Sequence, residues 1–138
     1  MIPQIDSDIG ILAYTTNFSG CGGTIRKQKA DFNVSELITE KAKSKICSES
    51  GFAVYKLQKN GIDTTHALAE IFRKYGIRLK SLGLKDASAV TEQFVFTMYK
   101  TNKHSEIKEA KYNLKKVGFI DKVLSKKEMI GNHFRIKI

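Results

Sequence analysis

The residues with the clearest chemical potential lie in one short stretch, GLKDASAVTEQ at positions 83–93. A glycine-leucine pair leads to Lys85 and Asp86, and small residues then lead to Thr91 and Gln93. A carboxylate on a loop at the end of a sheet is a common position for a reactive group. The positive charge of Lys85 favours the ionised form of Asp86, which could then act as a nucleophile or stabilise an oxocarbenium ion.

The same stretch also has a purely structural interpretation. A Lys-Asp turn occurs in most proteins, and Thr91 and Gln93 could brace such a turn through their hydroxyl and amide groups. The stretch alone therefore does not distinguish a reactive carboxylate from the polar tip of a connection.

The hydrophobic pattern around this stretch predicts an α+β fold with a mixed, largely antiparallel sheet and one clear helix. The helix is expected to begin after Asp63 or Thr64 as the N-cap and to stop at Gly76. Its apolar face is expected to contain Leu68, Ile71, Phe72 and Tyr75.

Strands are expected from the β-forming residues of four segments, 52–61, 93–100, 113–124 and 132–138, with the last two linked across Gly131. Further strand segments within 25–37 are expected to be joined by a polar bend at 27–31. Loops or turns are expected at 17–23 and 102–111, and a short helix or surface excursion at 39–50.

The length and composition are those of one globular domain covering residues 1–138. Hydrophobic residues make up 41% and charged residues 28%, which argues against disorder. Lysine and arginine number 24 against 14 acidic residues, giving a net charge of +10, and residues 100–138 alone hold 11 basic and 4 acidic side chains. Such an excess favours a polyanionic partner.

The sequence gives little support for a disulfide, a metal site, a membrane span or a secretory leader. Cys21 and Cys47 are expected to be reduced thiols, because neither forms part of a metal-binding spacing with His66, His104 or His133. No apolar run reaches the roughly 18 residues of a membrane span. The amino terminus lacks a basic leader, so a cytoplasmic location is expected.

Four segments, taken together, resemble one known family. GLKDASAVTEQF resembles the signature of the tRNA pseudouridine synthase D family, which reads Gly-x-Lys-Asp, two residues, Ala-x-Thr-x-Gln. NFSGCGGTIRKQKADFNVSEL resembles its opening segment, VYKLQKNGIDTTHALAEI its strand-turn-helix, and MIGNHFRIKI its Gly-Asn-x-Phe strand. The segments occur in the family's order and span residues 17–138.

The resemblance implies an isomerase that converts uridine to pseudouridine in transfer RNA, typically at uridine 13, without a cofactor or metal. It implies that Asp86 is the catalytic aspartate and that Arg26 binds RNA by holding a phosphate, or positions Asp86. The alternative for Arg26 is a solvated charge on a strand. Lys59 and Lys85 match two further basic positions, either as RNA contacts or as groups that position the backbone.

Part of the family pattern is missing. The family's later Asn-x-Phe-Gly-x-Gln-Arg block is absent, and the chain stops within the alternating strand HFRIKI. We therefore expect the amino-terminal part of a longer catalytic domain that is inactive alone. It is either a fragment or one half of a split enzyme, and in the second case another polypeptide carries the rest of the catalytic domain. The alternatives are a non-catalytic RNA-binding module that keeps the aspartate loop and a basic α+β domain with a protein partner.

Overall fold

A seven-stranded sheet and three α-helices make up the described part of the chain, which in this computed structural model comprises residues 2–14, 22–47, 49–101 and 103–138. The helices are α1 (Gln4–Asp8), α2 (Glu40–Ser44) and α3 (Thr64–Tyr75), with short 3₁₀ helices at Lys29–Asp31 and Lys126–Glu128. The strands are β1 (Phe32–Ile38), β2 (Phe52–Asn60), β3 (Leu79–Ser81), β4 (Val90–Lys100), β5 (Glu106–Lys108), β6 (Tyr112–Ile120) and β7 (Met129–Ile136).

The sheet is mixed and largely antiparallel. Its strands follow the order β5-β6-β2-β4-β1-β7, and β3 pairs with β4 beside this path. Only the β1–β4 pairing is parallel among these described strands, and the other five pairings are antiparallel. The predicted α+β class and sheet type are thus confirmed.

The two central strands separate two hydrophobic clusters. Because successive side chains of a strand point to opposite faces, Val95 of β4 packs under α3 while Phe94 and Phe96 pack on the other face. We call these the helix face and the back face. The helix-face cluster includes Tyr55, Leu57, Ala67, Ile71 and Leu114, and the back-face cluster includes Ile38, Ala42, Val54, Ile120 and Leu124.

Helix α3 forms where the sequence predicts it. The Asp63 carboxylate accepts a hydrogen bond from the backbone N–H of His66 at 2.9 Å, and Gly76 ends the helix with φ of 67°. That left-handed conformation favours glycine. The buried face differs from the prediction, because Ala67 lies in the core while Phe72 is half exposed and packs beneath the Arg78 guanidinium.

Several connections differ from the expectations. The segment around Ile25 is not a strand, and the segment expected as a loop at 102–111 contains β5, whose Ile107 is buried in the helix-face cluster. Gly131 lies inside β7. Strands β6 and β7 are not linked as neighbours, because β7 pairs with β1 and β6 with β2 and β5. Most of the turn expected at 17–23 lies outside the described residues.

Candidate active site

Asp86 lies on the connection between β3 and β4, residues 82–89, which we call the Asp86 loop. Its side chain is exposed, and no hydrogen bond or ion pair to it is formed by the described part of the chain. The neighbouring Ala89 is buried and β4 begins one residue later, so the loop is short and seated on the sheet. A free carboxylate on a fixed support is available to an incoming group.

The lysine at the end of β2 supports this loop from below. Lys59 is 2% exposed, and its ammonium group donates hydrogen bonds to the backbone carbonyls of Lys85 and Asp86, each at 2.9 Å. A third bond, to the carbonyl of Ile62, has a length of 3.0 Å. Lys59 therefore contacts protein backbone through all three of its N–H groups.

Helix α3 and strand β4 hold the loop from a second side. The Thr64 hydroxyl accepts a hydrogen bond from the N–H of Lys85 at 2.9 Å and lies 2.8 Å from Oε1 of Gln93. The side-chain amide of Gln93 donates to the carbonyl of Gly83 at 2.9 Å. The adjacent Thr91 is also buried, but its hydroxyl has no hydrogen-bond partner among the described residues.

Lys85 is engaged in a buried ion pair. Its ammonium lies 3.3 Å from Oε2 of Glu36 on β1, and the side chains are 7% and 0% exposed. The other carboxylate oxygen of Glu36 accepts a hydrogen bond from the N–H of Phe94 at 3.1 Å. Gly83 lies close by, where an added Cβ would be 3.2 Å from the Lys85 ammonium. The structure thus directs the Lys85 charge towards Glu36.

A cavity of about 200 Å³ separates the Asp86 loop from β1 and β7. We call it the Asp86 cavity. The opposing wall carries Phe32 and Phe134, whose ring centroids are 6.0 Å apart, together with Asn132. The Arg26 guanidinium lies 3.9 Å from the centroid of the Phe32 ring. A carboxylate, a cation and two aromatic rings therefore face one small space.

This combination has a clear chemical capacity. Guanidinium groups pair with phosphates and stack on planar rings, and aromatic rings stack on unpaired nucleobases. A carboxylate can attack a sugar carbon or stabilise positive charge that develops there. The Asp86 cavity is thus chemically suited to an extruded nucleotide.

A second cavity, of about 400 Å³, opens at the same end of the sheet. The alternation along the strands directs its polar side chains to the back face, and they include Asn33, Gln58, Glu92 and Asn113. It is larger than the Asp86 cavity, but Asp86 is not part of its lining. Cavity size therefore does not distinguish the Asp86 cavity from the other depressions of the surface.

Two further findings concern metals and membranes. Within the described ranges, no group of three histidine, cysteine, aspartate or glutamate residues is arranged to hold a metal ion. The helices of these same ranges include none with the length and apolar character required to cross a bilayer.

Comparison with known proteins decides the family. The profile of the tRNA pseudouridine synthase D (TruD) family matches residues 8–138. The chain belongs to the tRNA pseudouridine synthase D family. Among curated TruD relatives, one from Methanosarcina barkeri is 32% identical over 99% of this chain, and one from Archaeoglobus fulgidus is 28% identical over 97%.

A TruD crystal structure from Methanosarcina mazei has the same fold. It superimposes with a TM-score of 0.80 at 29% identity and covers 98% of this chain. The chain spans about a third of the length of these TruD proteins: 31% of the crystal structure, 31% of the M. barkeri relative and 33% of the A. fulgidus relative.

The sequence singled out Asp86 and predicted that Gln93 braces its loop, a contact that the structure contains, but it gave no role to three groups that lie at the site. Glu36 and Phe134 stood within the quoted TruD segments without an assigned role, and Phe32 was read only as a strand residue. The apolar-polar alternation could not identify them, because partners 49 residues apart meet only after β1 and the Asp86 loop pack together.

Proposed function

We propose that this chain is the nucleophile-bearing part of a tRNA pseudouridine synthase and that Asp86 is its catalytic residue. The main support is the exposed Asp86 carboxylate, which lacks a described hydrogen-bond or ion-pair partner although its loop is bonded to β2, β4 and α3. An exposed carboxylate on a loop that buried side chains hold in place is available to a substrate. The TruD membership adds the reaction class.

The proposed reaction is an isomerisation, so substrate and product have the same composition. Asp86 attacks, or electrostatically supports, the anomeric carbon as the bond to uracil N1 breaks, and the electron pair leaves with the uracil. The uracil turns and its C5 bonds to the anomeric carbon, which releases the carboxylate. The C5 proton then passes to solvent, and N1 takes up a proton from solvent. No oxidant or reductant is needed.

We assign the opposite wall to substrate binding. The target uridine must leave the RNA stack before a carboxylate can reach its sugar. Phe32 and Phe134 offer aromatic surface to such a base, and Arg26 offers a cation beside it. The proposed role of Arg26 is to hold a backbone phosphate next to the extruded nucleotide.

For Lys59 and Lys85 we favour positioning over RNA contact. Both ammonium groups are buried against protein partners, namely backbone carbonyls for Lys59 and Glu36 for Lys85. Gln93 is assigned the same supporting role through its bond to Gly83. Thr91 is proposed to support the loop by packing alone, since its hydroxyl has no described partner.

The full activity is proposed to require a second polypeptide that supplies the rest of the catalytic domain. The coverage of about a third of the relatives' length supports this proposal. The edge strand β7 also exposes Ile130, Phe134 and Ile136, and exposed apolar edges commonly pair with another segment. The proposed substrate is tRNA, modified at uridine 13, in the cytoplasm.

Tritium release from transfer RNA labelled at C5 of uridine tests this function directly. The chain is assayed with and without the carboxy-terminal two thirds of a TruD relative, in parallel with Asp86→Asn and with Asp121→Asn as a remote acidic control. We expect release only from the combined proteins, retention of activity in Asp121→Asn and loss in Asp86→Asn. Transfer RNA with cytidine at position 13 should release nothing from that site.

Two outcomes would overturn the proposal. Release that persists in Asp86→Asn would remove the carboxylate from the mechanism. Tight tRNA binding without release in any combination would instead support the alternative, a non-catalytic RNA-binding module that retains the aspartate loop.

A further inference from the structure

The burial of Lys59 is the unexplained feature closest to the site. A lysine side chain that is 2% exposed loses its hydration, and this loss is costly unless the ammonium group finds partners inside the protein. Lys59 finds three, the carbonyls of Ile62, Lys85 and Asp86, at 2.9 to 3.0 Å. An ammonium group has three N–H donors, so none remains for a phosphate.

These three carbonyls belong to two different segments. Ile62 lies in the turn between β2 and α3, whereas Lys85 and Asp86 lie on the Asp86 loop. Thr64 and Gln93 bind the loop at Lys85 and Gly83. Among the described side chains, Lys59 is the one that hydrogen-bonds to the backbone of Asp86 itself.

The charges around Lys59 fit this arrangement. Burial lowers the pKa of Lys59 to about 8, the carboxylates of Asp63 and Asp86 act in the opposite direction, and the charge of Lys85 lowers it slightly further. On β4, the pairing partner of Lys59 is the uncharged Thr91, and on β6 it is Tyr112, whose pKa burial raises to about 12. The Lys59 ammonium is thus surrounded mainly by oxygen atoms.

We infer that Lys59 is a positioning residue, which fixes the Asp86 backbone and thereby the direction in which the Asp86 carboxylate enters the Asp86 cavity. The catalytic consequence depends on the function proposed above, but the contact itself does not. A side chain that begins on the central strand β2 and ends at the carbonyl of the reactive residue transmits the rigidity of the sheet to the loop. The sequence motif containing Lys59 is explained by this contact without any RNA.

The contact can be measured in the unaltered chain. In a sample labelled with ¹⁵N and ¹³C, the Lys59 ammonium should give a slowly exchanging NMR signal below pH 7. It should show couplings across hydrogen bonds to the carbonyl carbons of Ile62, Lys85 and Asp86. An ammonium signal in fast exchange with water, without these couplings, would overturn the inference.

Two matched variants test the consequence for the loop. Lys59→Met should accelerate amide exchange across residues 82–89 by about tenfold or more, since hydrogen bonds from a charged donor are lost. It should leave amide exchange in the paired residues of β2 and β6 unchanged. Lys80→Met makes the same change at an exposed strand position and should alter neither. Unchanged exchange in a folded Lys59→Met would contradict the inference, and if this variant fails to fold, the couplings decide.

Catalysis supplies a separate measurement. With the carboxy-terminal two thirds present, Lys59→Met should lower kcat about 100-fold, the effect of a small misplacement of a reacting group, with little change in KM for tRNA. Aminoethylation of Lys59→Cys, in a background with serine at positions 21 and 47, should restore most of kcat. A rise in KM for tRNA as large as the fall in kcat would instead assign Lys59 to RNA binding. If Lys59→Met opens the loop but the unsubstituted chain shows no activity, the proposed function is refuted and the positioning role of Lys59 stands.

Discussion

The two sides of the Asp86 cavity are built differently. On one side, the Asp86 loop is bonded to the buried polar side chains of Lys59, Thr64 and Gln93, which are 1 to 2% exposed. On the other side, β7 is an edge strand whose residues are mostly exposed, and Phe134 is 52% exposed. The backbone that carries the proposed reactive group is therefore held by buried side chains, while the surface proposed to receive the base is open.

This difference follows from the demands on each side. A catalytic carboxylate works best when it is held in place before the reaction, and buried hydrogen bonds provide that rigidity. A binding wall must admit RNA and, in the proposed assembly, the rest of the catalytic domain. Substitutions on the loop side should thus change stability, and substitutions on the wall should change binding.

The largest loss of stability is expected from Glu36→Met, which leaves the Lys85 charge buried and unpaired. Removing one partner of a buried ion pair typically lowers the free energy of unfolding by about 3–5 kcal/mol. Urea denaturation measures this change. The exposed pair of Glu40 and Lys43 provides the control, since Glu40→Met should cost less than about 1 kcal/mol. The double variant Glu36→Met/Lys85→Met should recover part of the lost free energy of unfolding. If it does not, the two side chains do not form a direct pair.

A smaller loss is expected from Gln93→Met, which leaves the carbonyl of Gly83 without its donor. An unsatisfied buried polar group costs about 1–3 kcal/mol. Gln58→Met, on the exposed part of β2, should change the free energy of unfolding by no more than about 0.5 kcal/mol. Equal effects of the two variants would show that Gln93 does not support the loop.

The pH dependence of stability should contain a contribution from Lys59. Its folded-state pKa is lowered from 10.5 to about 8, mainly by burial. The unfolded chain therefore binds more protons between these two values, and this group makes the free energy of unfolding rise with pH across that range. The slope should be reduced in Lys59→Met when denaturation is repeated at pH 7.5 and 9.5. An unchanged slope would mean that Lys59 is solvated when folded.

The wall should show the smallest effect on stability. Arg26→Gln is expected to leave the free energy of unfolding within about 0.5 kcal/mol, because Arg26 is exposed and its guanidinium stacks on the Phe32 ring at the surface. Its tRNA affinity should fall several-fold, and the salt dependence of binding should decrease by about one unit of slope. Filter binding at several salt concentrations measures both quantities. A large loss of stability would instead show that Arg26 supports the fold, as Lys59 and Gln93 do.

Local sequence patterns predicted much of the secondary structure. Helix α3 was predictable because Asp63, the apolar repeat and Gly76 are signals that act within a few residues of each other. Strands β2, β4 and β6 were predictable for the same reason. The three residues of β5 were not, since Ile107 becomes a strand residue only by pairing with Leu114 of β6.

By itself, the sequence determined the class of the fold and placed Asp86 within a family signature, since the hydrophobic pattern and the signature lie in short, contiguous segments. Only the tertiary structure decided what the charges do. The sequence left Lys59 and Lys85 as either RNA contacts or groups that position the backbone. Packing buries both and gives them carbonyl and carboxylate partners. Desolvation and pairing depend on distant residues, and these become neighbours only when the sheet forms.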